Sequence, residues 1–206
     1  MSRTPSKETQ ALSSTTKENI IMANSAAKSH TSDASTSSTS PSSTSSFHML
    51  SNEWTAYAHL PHDTDWTLAS YKTLLKTNKL EEFIAFNEML PDVVISKCML
   101  FIMKNDVKPI WEDKHNKDGG CFSYKISNTN VPQIWRKISY QLIGNNLLLP
   151  NCQKKNNING ITISPKKNFC IIKIWLSDCS NKDPETINYF KGLSPYGCLF
   201  KKHLVH

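Results

Sequence analysis

Two tryptophans in this 206-residue sequence stand among polar and charged residues rather than in apolar runs. Trp66 lies within the segment 63–67, Asp-Thr-Asp-Trp-Thr, and Trp111 is followed directly by Glu112 and Asp113. Such neighbours indicate loops, although most tryptophans in proteins are core residues. Two indole rings can sandwich a flat, positively charged ring by stacking and cation–π attraction, and a carboxylate beside them can accept hydrogen bonds from the ring's edge.

Composition divides the chain into two parts. Residues 1–46 hold 23 Ser and Thr and no Phe, Trp or Tyr, so they are predicted to form a disordered Ser/Thr-rich tail. Residues 47–206 contain all the aromatic residues and carry +6 of the net charge of +7, which fits one basic domain with a real core. No apolar run spans a bilayer or resembles a secretory signal, so no membrane partner is expected. The expected location is the cytoplasm, host cytoplasm for a viral source, with the nucleus as the alternative.

The reactive side chains give weak signals for catalysis. The six cysteines form no C-x-x-C pair, so we predict no metal site and no cofactor. A Cys–His pair from His115 and Cys121, or an acid–base pair near His62, is conceivable, but the sequence has no nucleophile elbow and no phosphate-cradling loop. We therefore predict that the protein is not an enzyme. A nonspecific basic RNA binder remains an alternative.

Hydrophobic spacing and turn residues predict the elements that must position these residues. Three helices are predicted, the first capped by Asn78 with Glu81, the second from Asn130 to Gly144, and the third from Asp183 to Gly192. The predicted strands are 53–60, 97–104, 120–126, 160–164 and 168–176. This order favours an α+β fold in which helices cover one face of an antiparallel sheet.

The segment around Trp111 resembles a known signature. Residues 109–113, Pro-Ile-Trp-Glu-Asp, followed by Asn116-Lys117 and Gly119-Gly120, are similar to the signature of the cap-binding translation initiation factor 4E family. Other motifs follow in the family's order, namely His48-x-Leu50, Asn52-x-Trp54, Trp66, Leu80-Glu81-Glu82-Phe83, Trp135, Leu142-Ile143-Gly144 and the segment from Gly160 to Trp175. The resemblance covers about residues 48–195. It implies a curved antiparallel sheet of about seven to eight strands with three helices on its convex face.

The resemblance also implies a ligand, the 7-methylguanosine cap of mRNA, bound on the concave face. Trp66 and Trp111 would stack on the base, and Glu112 would accept hydrogen bonds from N1–H and the exocyclic amine of guanine. Trp175 would lie against the methyl group, with a core position on a strand as the alternative. The protein would then act in translation initiation and its regulation.

Positions for the triphosphate depart from the family pattern. Lys166 stands where the family has an Arg, and Lys167 adjoins it. Ile171 replaces the next basic residue, and Lys173, which alternation places on the same face of a strand, is the expected substitute. A solvated basic surface is the alternative for these lysines.

The implied protein-binding face departs further. In the family it receives a Tyr-x-x-x-x-Leu-Φ helix of the scaffold factor 4G or of repressor proteins, and the corresponding residues here are His48, Leu80, Ile84, Trp135, Arg136 and Lys137. Ile84 replaces a Trp, and Arg136-Lys137 replaces a Leu-Glu pair. We therefore expect weakened or altered binding of that helix, or a dedicated partner. A competitor or repressor that occupies caps without this interface is the alternative function.

Overall fold

The computed structural model describes residues 47–152 and 157–203. Seven strands are observed there: β1 Met49–His59, β2 Lys72–Lys79, β3 Met99–Lys104, β4 Gly120–Ser127, β5 Ile158–Pro165, β6 Phe169–Leu176 and β7 Leu199–Lys202. The helices are α1 Leu80–Met89, α2 Asp92–Lys97 and α3 Val131–Ile143. The strands form one curved, open antiparallel sheet in the order β2-β1-β3-β5-β6-β4-β7, which confirms the predicted fold class. The predicted tail, 1–46, lies outside the described residues.

Alternation along the strands gives the sheet two different faces. On β3, Leu100 and Ile102 belong to the main core beneath the helices, together with the buried Trp54 and Trp135. The intervening residues belong to a smaller cluster on the opposite face, made of Tyr57, Phe101, Met103, Val107 and Trp175. The helix-free face thus has its own apolar floor, and the helices stabilise the sheet from behind.

The predicted cap of the first helix is wrong. Asn78 lies in β2, and α1 begins at Leu80 without a side-chain hydrogen bond at its N-cap. Glu81 instead accepts hydrogen bonds from the backbone N–H of His48 (3.1 Å) and pairs with its ring (2.6 Å). The Glu81 carboxylate therefore holds the residue before β1 against α1.

The second predicted helix is confirmed and the third is wrong. Helix α3 runs as expected to Gly144, but residues 184–186 form only one 3₁₀ turn, where Asp183 accepts a hydrogen bond from the Glu185 N–H (2.9 Å). The helix that sequence reasoning missed is α2, which follows Pro91. Its β-branched residues Val94 and Ile95 have low helix propensity, but both are fully buried, so tertiary packing outweighs local preference.

All five predicted strands occur, with Lys97 belonging to α2 rather than to β3. Two strands were not predicted. Strand β2 carries six polar residues among eight and lacks the apolar alternation of a half-buried strand, and β7 is a short edge strand with mostly exposed side chains. No helix within the described ranges is long and apolar enough to cross a membrane.

Candidate functional site

A cavity of about 270 Å³ opens on the helix-free face of the sheet. Five side chains that the sequence singled out line it, namely Trp66, Trp111, Glu112, Lys173 and Trp175. They come from two loops and from β6, so the fold brings together residues up to 109 positions apart. Among the remaining lining residues are the phenol of Tyr71 and the hydroxyl of Thr162, which sequence reasoning missed. The cavity combines aromatic walls, one carboxylate and one ammonium.

Trp66 is presented by a loop that hydrogen bonds hold in shape. Asp65 accepts hydrogen bonds from the backbone N–H and the hydroxyl of Thr67 (2.8 and 3.0 Å), and these two bonds lower the pKa of Asp65. The buried His59 stacks on Trp66 with ring centroids 4.1 Å apart and an interplanar angle of 2°, and its Nε2 bonds the Asp65 carbonyl (2.8 Å). The indole is still 55% exposed, so one face is supported while the side chain remains accessible to a ligand.

Trp111 is presented by the loop between β3 and β4, which is built around Asn116. The Asn116 side chain is fully buried and donates to the carbonyls of Lys108 and Ile110, both at 2.9 Å. Asp113 accepts hydrogen bonds from the backbone N–H (2.8 Å) and the ring (2.9 Å) of His115. These contacts shape the loop on both sides of Trp111, whose side chain is 36% exposed.

Two residues distant in sequence fasten this loop to the sheet. Asn159 on β5 donates from Nδ2 to the His115 carbonyl (2.7 Å) and to Asn116 Oδ1 (2.9 Å). His203, directly after β7, donates its backbone N–H to the Gly119 carbonyl (2.9 Å), and its Nδ1 contacts the Asn116 carbonyl (2.8 Å). Burial lowers the pKa of His203, so the ring is neutral at pH 7 and Nδ1 carries the donated proton.

The Gly-Gly pair that ends the loop has a steric reason. A Cβ atom on Gly119 would lie 1.8 Å from the Leu176 carbonyl oxygen, and one on Gly120 would lie 2.6 Å from the Phe200 ring. The backbone here runs against β6 and β7 too closely for any side chain. The glycines thus allow the loop to return into β4.

Trp175 occupies the core position on a strand that was the alternative, and it also reaches the cavity. It is 2% exposed and packs in the apolar cluster with Phe101 and Met103, yet its ring also forms part of the cavity floor. The strand position explains this, because the floor of the cavity is the apolar cluster of the helix-free face. Contact with a methyl group remains a prediction.

The three lysines predicted for phosphates are placed differently. Lys173 lines the cavity, with its Nζ 5.5 Å from the centroid of Trp111. Lys166 and Lys167 are exposed in the turn between β5 and β6 and do not line it. A further cation that sequence reasoning missed, Lys201 on β7, lies 5.7 Å from the Trp111 centroid.

The residues of the conceivable Cys–His pair have other partners. His115 bonds Asp113, whereas Cys121 is buried on β4 with its Sγ 3.8 Å from the Ser123 hydroxyl. Burial raises the pKa of Cys121, which disfavours the nucleophilic thiolate. Within residues 47–152 and 157–203, no group of His, Cys, Asp or Glu is arranged to hold a metal ion.

The opposite, helical face also departs from a simple apolar surface. Arg136 donates to Asp92 Oδ1 and to the Leu90 carbonyl, both at 2.8 Å, so its guanidinium is held across the start of α2. Lys137 lies over the Phe190 ring (4.6 Å), and Ile84 is 40% exposed. Of the other residues predicted for this surface, His48 pairs with Glu81, Leu80 is half-buried, and Trp135 belongs to the core.

Asn116→Ala is expected to destabilise the protein by about 2–3 kcal/mol, because it removes three hydrogen bonds in a buried place and leaves the amide of Asn159 with one partner fewer. Urea unfolding measures the change. The neighbouring exposed Lys117→Ala serves as control and should shift stability by less than about 0.5 kcal/mol. A loss below about 1 kcal/mol for Asn116→Ala would show that the loop does not depend on this side chain.

The fold and the site together define a class: a curved-sheet binding domain with helices on one face and an aromatic cavity on the other. A family model described as eukaryotic initiation factor 4E matches residues 49–191. The chain therefore belongs to the eukaryotic initiation factor 4E family, as the sequence motifs predicted.

Relatives and a solved structure agree with this assignment. The chain is 26% identical to a eukaryotic translation initiation factor 4E of Eremothecium gossypii over 136 residues, covering 62% of each chain. It is 25% identical to that of Candida glabrata over 162 residues, covering 70% of this chain and 71% of the relative. The match thus leaves more than a third of the Eremothecium relative's length unmatched. The fold of the present chain is similar to that of C. elegans eIF4E-3, solved with the binding protein Mextli and a cap analog. The TM-score is 0.59 at 16% identity, and the match covers 67% of this chain and 79% of the C. elegans chain.

Proposed function

We propose that this protein binds the 7-methylguanosine cap of mRNA in translation initiation. One observation carries the proposal: Trp66 and Trp111 stand on two separately braced loops at the same cavity, with Glu112 in its lining. Family membership and the cap analog bound by the solved C. elegans relative support this choice of ligand.

The proposed binding depends first on the two indoles. Methylation at N7 places a positive charge on guanine, so each indole face adds cation–π attraction of about 0.5–2 kcal/mol to the stacking of a flat ring. Aromatic stacking alone contributes about 1–3 kcal/mol per base. The braces on both loops, His59 stacked on Trp66 and Asn116 bonded to the backbone of the Trp111 loop, reduce the conformational entropy that binding would otherwise cost.

Glu112 supplies the choice of base. A carboxylate can accept two hydrogen bonds, which matches the N1–H and exocyclic N–H donors on one edge of guanine, whereas adenine lacks that donor pair. The negative charge of Glu112 also acts on the neighbouring Tyr71, whose pKa is raised first by burial and then by this charge. Tyr71 therefore stays a neutral phenol beside the carboxylate at pH 7.

We assign the phosphates to three lysines, one in the cavity and two in a turn outside it. Lys173 is the one of the three that lines the cavity, so we place the first phosphate there. Lys166 and Lys167 are exposed in the turn at the far end of β5 and β6, where they can attract the rest of a triphosphate or the RNA backbone.

Tryptophan fluorescence tests the proposal directly. Titration with 7-methyl-GTP should quench the emission of the full chain, because two exposed indoles become stacked, and the protein should be retained on cap resin. Binding that falls steeply with salt and ignores both the base and its methylation would instead favour a nonspecific basic RNA binder. A folded protein that shows no quenching at millimolar ligand would rule out cap binding.

A second candidate, a cytoplasmic cap competitor or repressor, is favoured by the helical face. Arg136 and Lys137 present cations where an apolar and an acidic residue were expected, and Ile84 offers less area than a Trp. We expect a Tyr-x-x-x-x-Leu-Φ helical peptide to bind at least tenfold more weakly than it binds a family member that has the Trp and the Leu-Glu pair. Calorimetric titration measures this, with that family member as control, and equal affinities would remove the case for a repressor.

A further inference from the structure

The cavity proposed to receive a cationic base already contains a cation. Lys173 is half-buried on β6, directly opposite Thr162 on β5 and Ser123 on β4, and it lines the same cavity as Trp66, Trp111 and Glu112. No carboxylate pairs with its ammonium among the described ion pairs. Lys173 therefore brings an unneutralised positive charge to the floor of the site.

The distance from Lys173 to the base follows from the stacking geometry. Its Nζ lies 5.5 Å from the Trp111 centroid, and a base stacked on that indole has its own centre about 4–5 Å from the same point. The ammonium and the base centre are then separated by at most about 10 Å, which is close to the screening length at physiological salt. Lys201, 5.7 Å from Trp111, adds a second positive charge nearby.

Two polar groups near Lys173 are relevant to the same question. The hydroxyl of Thr162 and the indole N–H of Trp175 are buried, line the cavity with their side chains and have no hydrogen-bond partner within the described part of the chain. The ammonium and the indole N–H are donors only and favour electron-rich acceptor atoms, whereas the Thr162 hydroxyl can donate or accept. The floor and the two indoles therefore have opposite electrostatic preferences.

We propose, on the basis of the proposed function, that Lys173 lowers the selectivity of this site for positively charged 7-methylguanine over neutral guanine, so that unmethylated guanine nucleotides are also ligands. The indoles gain from the charge on the methylated base, and Lys173 repels that charge while it attracts the phosphates equally in both ligands. The triphosphate is identical in 7-methyl-GTP and GTP, so its attraction cancels in the ratio of their dissociation constants.

The test is this ratio, Kd for GTP divided by Kd for 7-methyl-GTP, measured by tryptophan quenching. Lys173→Met should raise it by about 4- to 15-fold, the effect of a unit charge at this distance for an effective dielectric constant of about 20–40. Lys173→Arg keeps the charge and should leave the ratio within about twofold of the wild type. If the methionine variant does not fold, Lys173→Gln, which retains a polar side chain of similar length, gives the same comparison.

Lys125→Met is the matched control. Lys125 is exposed on β4, its ammonium lies over the Phe169 ring (4.5 Å), and it does not line the cavity. The same loss of charge there should leave the ratio unchanged. An unchanged ratio in Lys173→Met, or an equal rise in Lys125→Met, would overturn the inference while leaving cap binding intact. Absence of quenching by 7-methyl-GTP in the wild type would instead reject the proposed function itself.

Discussion

Replacing Trp111 by alanine is expected to weaken binding of 7-methyl-GTP by at least about 30-fold, or about 2 kcal/mol. The change removes one wall of the cavity, and with it the stacking and cation–π attraction of a whole indole face. The loop itself should persist, because Asn116 and Asp113 hold it through contacts that do not involve the indole ring. Quenching of the remaining tryptophans and retention on cap resin both measure the loss.

Two further variants show whether the loss of affinity is caused by removal of the Trp111 indole ring. Trp111→Phe keeps a smaller aromatic face and should recover part of the affinity. Tyr196→Ala removes an aromatic side chain that is 92% exposed outside the cavity, and it should bind like the wild type. Retention of Trp111→Ala on cap resin at wild-type level would show that Trp111 does not stack on the base.

Glu112→Gln should weaken binding of 7-methyl-GTP by about 30- to 150-fold, because charged hydrogen bonds of this kind contribute about 2–3 kcal/mol together. The glutamine keeps the shape of the side chain but loses its negative charge and turns one acceptor into a donor. We expect discrimination to fall as well. The wild type should bind 7-methyl-GTP better than 7-methyl-ITP, which lacks the exocyclic amine, and Glu112→Gln should bind the two nearly alike.

The same chemical change elsewhere provides the control. Glu185→Gln alters an exposed carboxylate outside the cavity and should change neither the affinity nor the base preference. If Glu112→Gln retained the wild-type preference for 7-methyl-GTP over 7-methyl-ITP, the guanine edge would have to be recognised by another group.

The part of the site that local sequence predicted is the part that lines the cavity. Polar neighbours marked Trp66 and Trp111 as loop residues, and both are exposed at the cavity. The adjacent carboxylate and the alternation that placed Lys173 on the inner face were equally local signals. These features depend on a few consecutive residues, so one sequence is enough to find them.

The supporting residues could not be found in the same way. Asn159 and His203 reach the Trp111 loop only because β5, β6, β4 and β7 are neighbours in the sheet, and that order is not the order of the sequence. A buried amide in the apolar strand from Ile158 to Pro165 was one available signal. His203 offered none, since a lone His beside two lysines is typical of a solvated surface.

The predicted elements failed where burial or a competing side chain decided the outcome. Asn78 could have capped α1, but Glu81 is taken by His48. No helix was predicted for α2, because its β-branched residues locally favour a strand, and its packing against α3 decides the outcome. In both places the local preference was real, and a partner more than 30 residues away was stronger.

The attachment of the Trp111 loop to His203 determines when, during synthesis, that loop can become fully supported. The ribosome delivers Trp66 and Trp111 long before residue 203, and β7 can pair with β4 only after 199–202 have emerged. Until then the carbonyls of Asn116 and Gly119 lack the partners that His203 provides. A nascent chain therefore carries both indoles for 92 further residues before His203 is added, and the support of the cavity is complete only within the last few residues described.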